Sequence, residues 1–128
     1  MKKTIILGLF SILIFAACKK DKDDTNNSAK AVRYEFSATM AGNYNLQTIT
    51  DTLVNTVTIN TNTWTSLVNV TGSDSASFTV FPPLDWINTS NEADVSLKIF
   101  VNNVEKASGT AHFIGLDRPN GLHIAIQY

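Results

Sequence analysis

Apolar and polar residues alternate along much of the chain after residue 31, with the period of two that is typical of a half-buried β-strand. Between Val32 and Met40 every second residue is apolar, and the residues between them are charged or carry a hydroxyl. This stretch is rich in strand formers, and no comparable stretch of the domain has a helical period, so the sequence predicts an all-β domain. Further alternating stretches begin at Tyr44, Leu53, Thr65, Ser77, Val95 and Val104.

Two turn sequences predict hairpins. Asn102-Asn103 separates two alternating stretches, and asparagine tolerates the positive φ angles that a two-residue turn requires. Further along, the sequence RPNG, residues 118–121, suits a type I turn followed by glycine in the left-handed conformation. The resulting three-residue loop would pair Ile114 with Ile126 and place the last strand beside the strand that precedes it.

The number of predicted strands indicates the fold. Residues 31–128 hold about seven to eight short strands at a spacing of roughly ten residues, which is typical of an antiparallel immunoglobulin-like β-sandwich. The chain has a single cysteine, so no intramolecular disulfide can support this domain, and its core must be held by packing. Trp64 and Tyr34 are predicted to form the bulky centre of that core.

The first seventeen residues have the pattern of a secretion signal. Two lysines precede an apolar run from Ile5 to Phe15, and a helix of that length spans roughly 17 Å, too short for a hydrocarbon core of about 30 Å. Two alanines and then Cys18 follow. This arrangement resembles the bacterial lipoprotein signal, or lipobox, which implies removal of residues 1–17 and acylation of Cys18. We therefore expect a membrane anchor at Cys18.

A charged segment follows the cysteine. Residues 18–30 offer almost no apolar surface to bury, so they are predicted to form a disordered tether. The run from Lys19 to Asp24 resembles the charge cluster that follows the lipidated cysteine of Bacteroidetes lipoproteins, where such clusters are associated with export to the cell surface. We expect an outer-membrane lipoprotein that is displayed at the cell surface, with a periplasmic location as the alternative.

The charge of the domain disfavours one class of partner. Residues 31–128 carry eight acidic and four basic side chains, a net charge of about −4. Nucleic-acid binding requires clustered Lys and Arg that replace counterions, so no nucleic-acid partner is expected.

A second resemblance covers most of residues 32–108. It consists of YEF from Tyr34, a tryptophan after a turn, and VSLKIFVNN from Val95 followed by a return strand. These features are similar to small Bacteroidetes lipoproteins and, through them, to the extracytoplasmic domain of the mycobacterial small membrane proteins (MmpS-like). The resemblance implies an immunoglobulin-like sandwich without a cofactor and with an accessory role beside an envelope partner. It supplies no catalytic residue.

The histidines and serines do not have the spacing of an active site in the predicted strands. In the predicted last hairpin His112 lies opposite Tyr128 and His123 opposite Asp117, on different faces, so the histidines could not share a metal ion. Ser108 and His112 are roughly 13 Å apart on one strand, too far for a hydrogen bond. No G-x-S-x-G turn presents a serine nucleophile. The sequence predicts no metal site, no catalytic residues and no enzyme.

The loop FPPLDWINTSN is the strongest candidate for ligand binding. Two prolines stiffen it, and Trp86 is flanked by Asp85 and Asn88. An exposed tryptophan ring beside an acid and an amide could stack on a sugar or peptide while the polar groups hydrogen-bond to it. Alternatively, Trp86 folds back and plugs the end of the sandwich.

Two short motifs are candidate sites of O-glycosylation. Asp51-Thr52-Leu53 and Asp74-Ser75-Ala76 resemble the acceptor sequence of Bacteroidetes protein O-glycosylation, which makes Thr52 and Ser75 candidate acceptors. In a chain this rich in threonine and serine, about one such match is expected by chance.

These observations lead to one main hypothesis and one alternative. The main hypothesis is a non-catalytic, lipid-anchored module of the cell envelope that acts through contacts with proteins or other envelope components. The alternative is a glycan- or peptide-binding surface module that uses the Trp86 loop.

Overall fold

The computed structural model describes residues 28–72, 75–115 and 120–128. These residues form six antiparallel strands and one turn of 3-10 helix, which confirms the all-β class. In chain order the elements are β1 (Ala29–Thr50), β2 (Leu53–Thr71), β3 (Ser75–Phe81), the 3-10 turn (Leu84–Trp86), β4 (Glu92–Val101), β5 (Val104–Ile114) and β6 (Leu122–Gln127).

All six strands belong to one sheet. The order is β5-β4-β1-β3-β6, and β2 pairs with the other edge of β1. β1 pairs with β4 over Val32–Ala38 and with β3 over Asn45–Thr50, so its two halves belong to different parts of the sheet. The end strands β5 and β6 lie close together, because a Cβ at Gly109 would lie 2.8 Å from Ile124 Cγ2. The sheet is therefore nearly closed.

A bulge interrupts the ladder between β1 and β2. Ser37 pairs with Thr63, but the next pair is Gly42 with Thr61, so residues 38–41 of β1 face a single residue of β2. Bulges of this kind bend a strand and increase its twist. Across the bulge, the half-buried positions of β2 change from odd to even residue numbers. This change explains why the alternation in the sequence breaks although the strand continues.

The described residues form fewer strands than the seven or eight that the sequence predicts. The stretches that begin at Val32 and Tyr44 are a single strand, β1, and those that begin at Leu53 and Thr65 are a single strand, β2. Over the described residues, one nearly closed sheet of six strands therefore replaces the two facing sheets of seven or eight strands that an immunoglobulin-like sandwich would have.

The hairpin at Asn102-Asn103 is confirmed. Both residues have positive φ angles, 51° and 65°. Val101 pairs with Val104 across the turn, as a two-residue loop requires.

The predicted pairing of the last two strands is wrong. β6 pairs with β3, so Ile126 lies opposite Ala76, and Ile114 on β5 lies opposite Glu92. Arg118 and Pro119 of the predicted turn lie outside the described residues. The alternation in β6 determines which of its faces is apolar, but it does not determine which strand lies beside it.

Tyr34 occupies the core as predicted. It is fully buried, and its hydroxyl donates a hydrogen bond to the Ile49 carbonyl oxygen at 3.0 Å and shares one of 2.6 Å with the Thr50 hydroxyl. Burial raises the pKa of Tyr34, so the hydroxyl remains neutral.

Trp64 lies at the rim of the core rather than at its centre. Its ring centroid lies 5.7 Å from that of Phe78, but the side chain is only half-buried because β2 is an outer strand. The most deeply buried residues are Pro83, in the loop after β3, and ten residues of β1, β3, β4 and β5: Val32, Tyr34, Tyr44, Leu46, Phe78, Val80, Val95, Leu97, Ile99 and Phe113.

Candidate functional site

The loop between β3 and β4 turns Trp86 into the core. Its side chain is 4% exposed, and its ring meets the Tyr44 ring edge-on with centroids 5.7 Å apart. A Cβ at Gly42 would lie 2.8 Å from Trp86 Cζ2, and a Cβ at Gly115 would collide with the Trp86 carbonyl oxygen. Trp86 is therefore a plug. The ligand-platform interpretation is corrected, because the ring has no free face for stacking.

Asp85 and Asn88 remain exposed, but both have local partners. Asp85 Oδ2 accepts a hydrogen bond from Asn43 Nδ2 at 3.1 Å. Asn88 has a φ of 64°, and its N–H donates to the Gly115 carbonyl oxygen at 2.9 Å. Beside Asp85 lies a shallow depression of about 310 Å³ without an aromatic residue in its lining. It is lined by Asn43, Asn45, Thr58, Leu84 and Asp85.

Three titratable side chains form a cluster on the outer face of β4 and β5. His112 Nδ1 lies 2.7 Å from Asp94 Oδ1, and His112 Nε2 lies 3.6 Å from Glu92 Oε2. The hydrogen bond with Asp94 raises the pKa of His112 above its ordinary value of 6.5, against a smaller opposing effect of desolvation, and both carboxylates add to the rise. A depression of about 660 Å³ adjoins the cluster. Its hydroxyl-bearing residues are Ser37, Thr39, Ser96 and Thr110.

This cluster lacks the geometry of a catalytic triad. Both ring nitrogens of His112 face carboxylates, so among the described residues neither is directed at a hydroxyl. A serine nucleophile needs its base within about 2.6–3.2 Å. Ser108 lies opposite Lys98, four residue pairs along the ladder from the pair of His112 with Asp94. Asp117 lies outside the described residues. The cluster offers hydrogen bonds to a ligand but no activated nucleophile.

The two histidines lie on different parts of the sheet. His112 is opposite Asp94, and His123 is opposite Thr79, whose Oγ1 lies 2.8 Å from His123 Nδ1. The pairing partners predicted from the last hairpin, Tyr128 and Asp117, are wrong because β6 lies beside β3. Within the described ranges, no group of three or more His, Cys, Asp or Glu side chains could hold a metal ion.

The candidate glycosylation acceptors lie at one end of the sheet. Thr52 is exposed in the turn between β1 and β2. Ser75 is half-buried at the start of β3, and its carbonyl oxygen accepts a 3.0 Å hydrogen bond from the Asp51 N–H. Asp74 lies outside the described residues. Thr52 is therefore the more accessible acceptor.

The outer edge of β2 is a further candidate surface. In the described part of the chain β2 pairs with β1 alone, so the other edge of this 19-residue strand carries no ladder. The strand contains no charged residue, no glycine and no proline. Leu53, Val54 and Leu67 on it are exposed. The sequence signal for this surface is the uninterrupted run of uncharged residues from Leu53 to Thr71. The prediction of two short strands, beginning at Leu53 and Thr65, divided this run, so the long edge was not predicted.

The remaining site, Cys18, lies outside the described residues together with the signal segment and most of the tether. Where the structure describes the chain, it contains no helix that is long and apolar enough to cross a membrane.

Comparison of the chain with protein-family models, with curated proteins and with solved structures found no match.

We expect Trp86→Ala to lower the free energy of unfolding by about 3–5 kcal/mol, because it removes a buried indole. Trp64→Ala should cost less, since Trp64 is only half-buried. Denaturant titrations would measure both.

In Trp64→Phe, iodide should quench the remaining Trp86 fluorescence weakly, and in Trp86→Phe it should quench Trp64 more strongly. Strong quenching of Trp86 would contradict its assignment as a plug.

We expect an NMR titration to give His112 a pKa above 6.5, because the charged ring is stabilised by Asp94. Asp94→Asn should lower this pKa more than Glu92→Gln, since the bond to Asp94 is the largest cause of the rise. The pKa of His112 is higher in the folded chain than in the unfolded chain. The pair of His112 with Asp94 therefore stabilises the fold fully at pH values below the unfolded-state pKa of His112, and this stabilisation is lost as the pH rises through its folded-state pKa. A titration that Asp94→Asn leaves unchanged would refute the pairing.

Proposed function

We propose that this chain is a non-catalytic, lipid-anchored module of the cell envelope that acts by contacting a protein through the outer edge of β2. The unpaired edge of β2 is the observation that carries the proposal. Such an edge presents free N–H and C=O groups, to which a partner strand can add with main-chain hydrogen bonds. Natural proteins usually protect exposed edges with charges or prolines, and β2 has neither.

Two resemblances in the sequence support the proposed anchor and location. The lipobox resemblance supports acylation at Cys18, and the charged tether would hold the domain away from the lipid surface. The charge cluster after the cysteine supports an outer-membrane lipoprotein at the cell surface. The resemblance to small envelope lipoproteins and MmpS-like domains supports an accessory role beside a partner.

The alternative, a glycan- or peptide-binding module at the Trp86 loop, has less support. The burial of Trp86 removes the stacking surface on which that hypothesis depended. The depression beside Asp85 offers amides, a hydroxyl and a carboxylate, but it lacks an aromatic face. Protein contact at β2 is therefore the function that the geometry favours.

We also propose that Thr52 carries an O-linked glycan in the native envelope. The expected result is an intact mass above that of the lipidated chain, and Thr52→Ala should remove the additional mass. Ser75→Ala should remove little of it, because Ser75 is half-buried. Mass spectrometry of the protein from its own cells would measure both. A native mass equal to that of the unmodified, lipidated chain would exclude the glycan.

The contact function can be tested in the intact envelope. A photo-crosslinking residue at Thr65, an exposed position of β2, should capture a protein partner in the membrane fraction. The matched position Thr110, an exposed threonine of β5, should not. Cys18→Ser should release the chain from the membrane fraction, because the acyl chains are its proposed anchor.

The controls separate the two parts of the proposal. Acyl labelling of the wild-type chain, absent in Cys18→Ser, would verify the anchor independently of any contact. A soluble, unlabelled wild-type chain would contradict the anchor. Equal capture at Thr65 and Thr110, or none at either position, would contradict the contact at the β2 edge.

A further inference from the structure

The outer edge of β2 is continuous and regular over its second half. Residues 63–71 pair with β1 without a register shift, whereas the bulge at residues 38–41 separates them from the first half of the strand. On the inner face of this segment, Trp64, Val68 and Val70 are half-buried and pack against the core. On the outer face, Leu67 is 61% exposed. A strand added here would cover apolar area on both faces.

The tether of the same chain is a poor occupant of this edge. Residues 19–27 are lysine, aspartate, asparagine and threonine. Lysine, aspartate and asparagine are depleted in strands, and none of these side chains would cover Trp64 or Val68. A strand with valine and aromatic residues at alternate positions is required.

A second copy of β2 meets this requirement. We propose that residues 63–71 pair antiparallel with the same segment of a second copy, with the two-fold axis at Leu67. The inference rests on the proposed contact function of the β2 edge and names the partner. Trp64 then lies beside Val70 of the second copy, and Ser66 beside its Val68. An aromatic residue opposite a β-branched one is a favourable cross-strand pair.

The neutrality of the strand makes self-pairing possible. In a symmetric antiparallel pair, residues near the axis face their own copies, so any charge would meet a like charge. This segment has no charge of its own. The charged residues opposite it on β1 are Lys30, Arg33 and Glu35. Arg33 and Glu35 form a 3.0 Å ion pair within one chain, and the Lys30 ammonium lies 4.9 Å from the centroid of the Tyr128 ring.

The symmetry also limits the assembly to two chains. Each copy uses its β2 edge once, and an isologous contact of this kind closes on itself. At the other side of the sheet, β5 and β6 lie against each other, as the close approach of Gly109 to Ile124 shows. The described strands therefore offer no second edge of comparable length for continued addition.

Disulfide trapping in the membrane tests the axis directly. Directly opposed residues of an antiparallel pair have Cα atoms about 4.5–5.5 Å apart, within the range that a disulfide spans. With a mild oxidant, Leu67→Cys should form a covalent dimer. Leu84→Cys, an exposed leucine on the 3-10 turn, should not, and the wild-type chain is the control for Cys18.

A charge exchange on the purified full chain tests the pairing without covalent chemistry. Leu67→Glu keeps a favourable neighbour within its own chain, because residue 67 lies opposite Arg33. Between copies it places two carboxylates at the axis, so the dimer Kd should rise about tenfold or more. Leu84→Glu should leave the Kd unchanged. An equimolar mixture of Leu67→Glu and Leu67→Lys should restore the dimer, and circular dichroism checks each fold.

Three results would overturn the inference: Leu67→Cys trapping no more dimer than Leu84→Cys, a monomeric wild-type chain at all concentrations measured by sedimentation, or a Leu67→Glu dimer as stable as the wild type. If Thr65 captures a different protein while the chain stays monomeric, the contact function stands and the self-pairing fails. If Thr65 captures nothing and no dimer forms, both fail.

Discussion

The packing of Trp86 against the bend in β1 is the contact on which the rest of the fold depends. The indole needs a glycine at Gly42, and the backbone of Trp86 needs one at Gly115, since neither position has room for a Cβ. Tyr44 supports the same bend, because its buried hydroxyl, with a pKa raised to about 12, donates to the Met40 carbonyl oxygen at 2.8 Å. The Phe36 and Tyr44 rings, with centroids 4.8 Å apart, also join the two halves of β1. Together with Trp86 they hold these halves at the angle that lets the sheet approach closure.

The bend also determines which surfaces are available for function. One edge of β1 pairs with β4 and β3, and the other edge pairs with β2. β2 is therefore an edge strand among the described residues. The outer face of β4 and β5 is polar and carries the His112 cluster, whose nitrogens are occupied by carboxylates. An unpaired strand edge is thus present in the described part of the molecule, and both nitrogens of His112 face carboxylates. Both surfaces arise from the same architecture, and among the described residues the neutral outer edge of β2 has no strand paired with it.

The sequence was informative where local chemistry decides the structure. Alternation predicted the strands, and Asn102-Asn103 predicted a turn, because positive φ angles are a property of the residues themselves. Local patterns could not show that the bulge joins two stretches into β1, since that depends on pairing with β2. They also missed the pairing of Asp94 with His112. Counting back from the two-residue turn at Asn102-Asn103 would place Asp94 opposite Ala111. A register shift between Ile99 and Phe100 moves the partner of Asp94 by one residue, to His112.

The pairing of β6 with β3 has a consequence for the order in which the structure can form. Thr79 and His123, neighbours across this ladder, are 44 residues apart in the chain. During synthesis the β1–β2 hairpin can close early, but β3 keeps an open edge until β6, the last of the described strands, has been made. Pairings between distant segments form slowly. For that interval the growing chain has two bare strand edges, on β2 and on β3, so the nascent protein is most exposed to wrong partners just before its synthesis reaches β6.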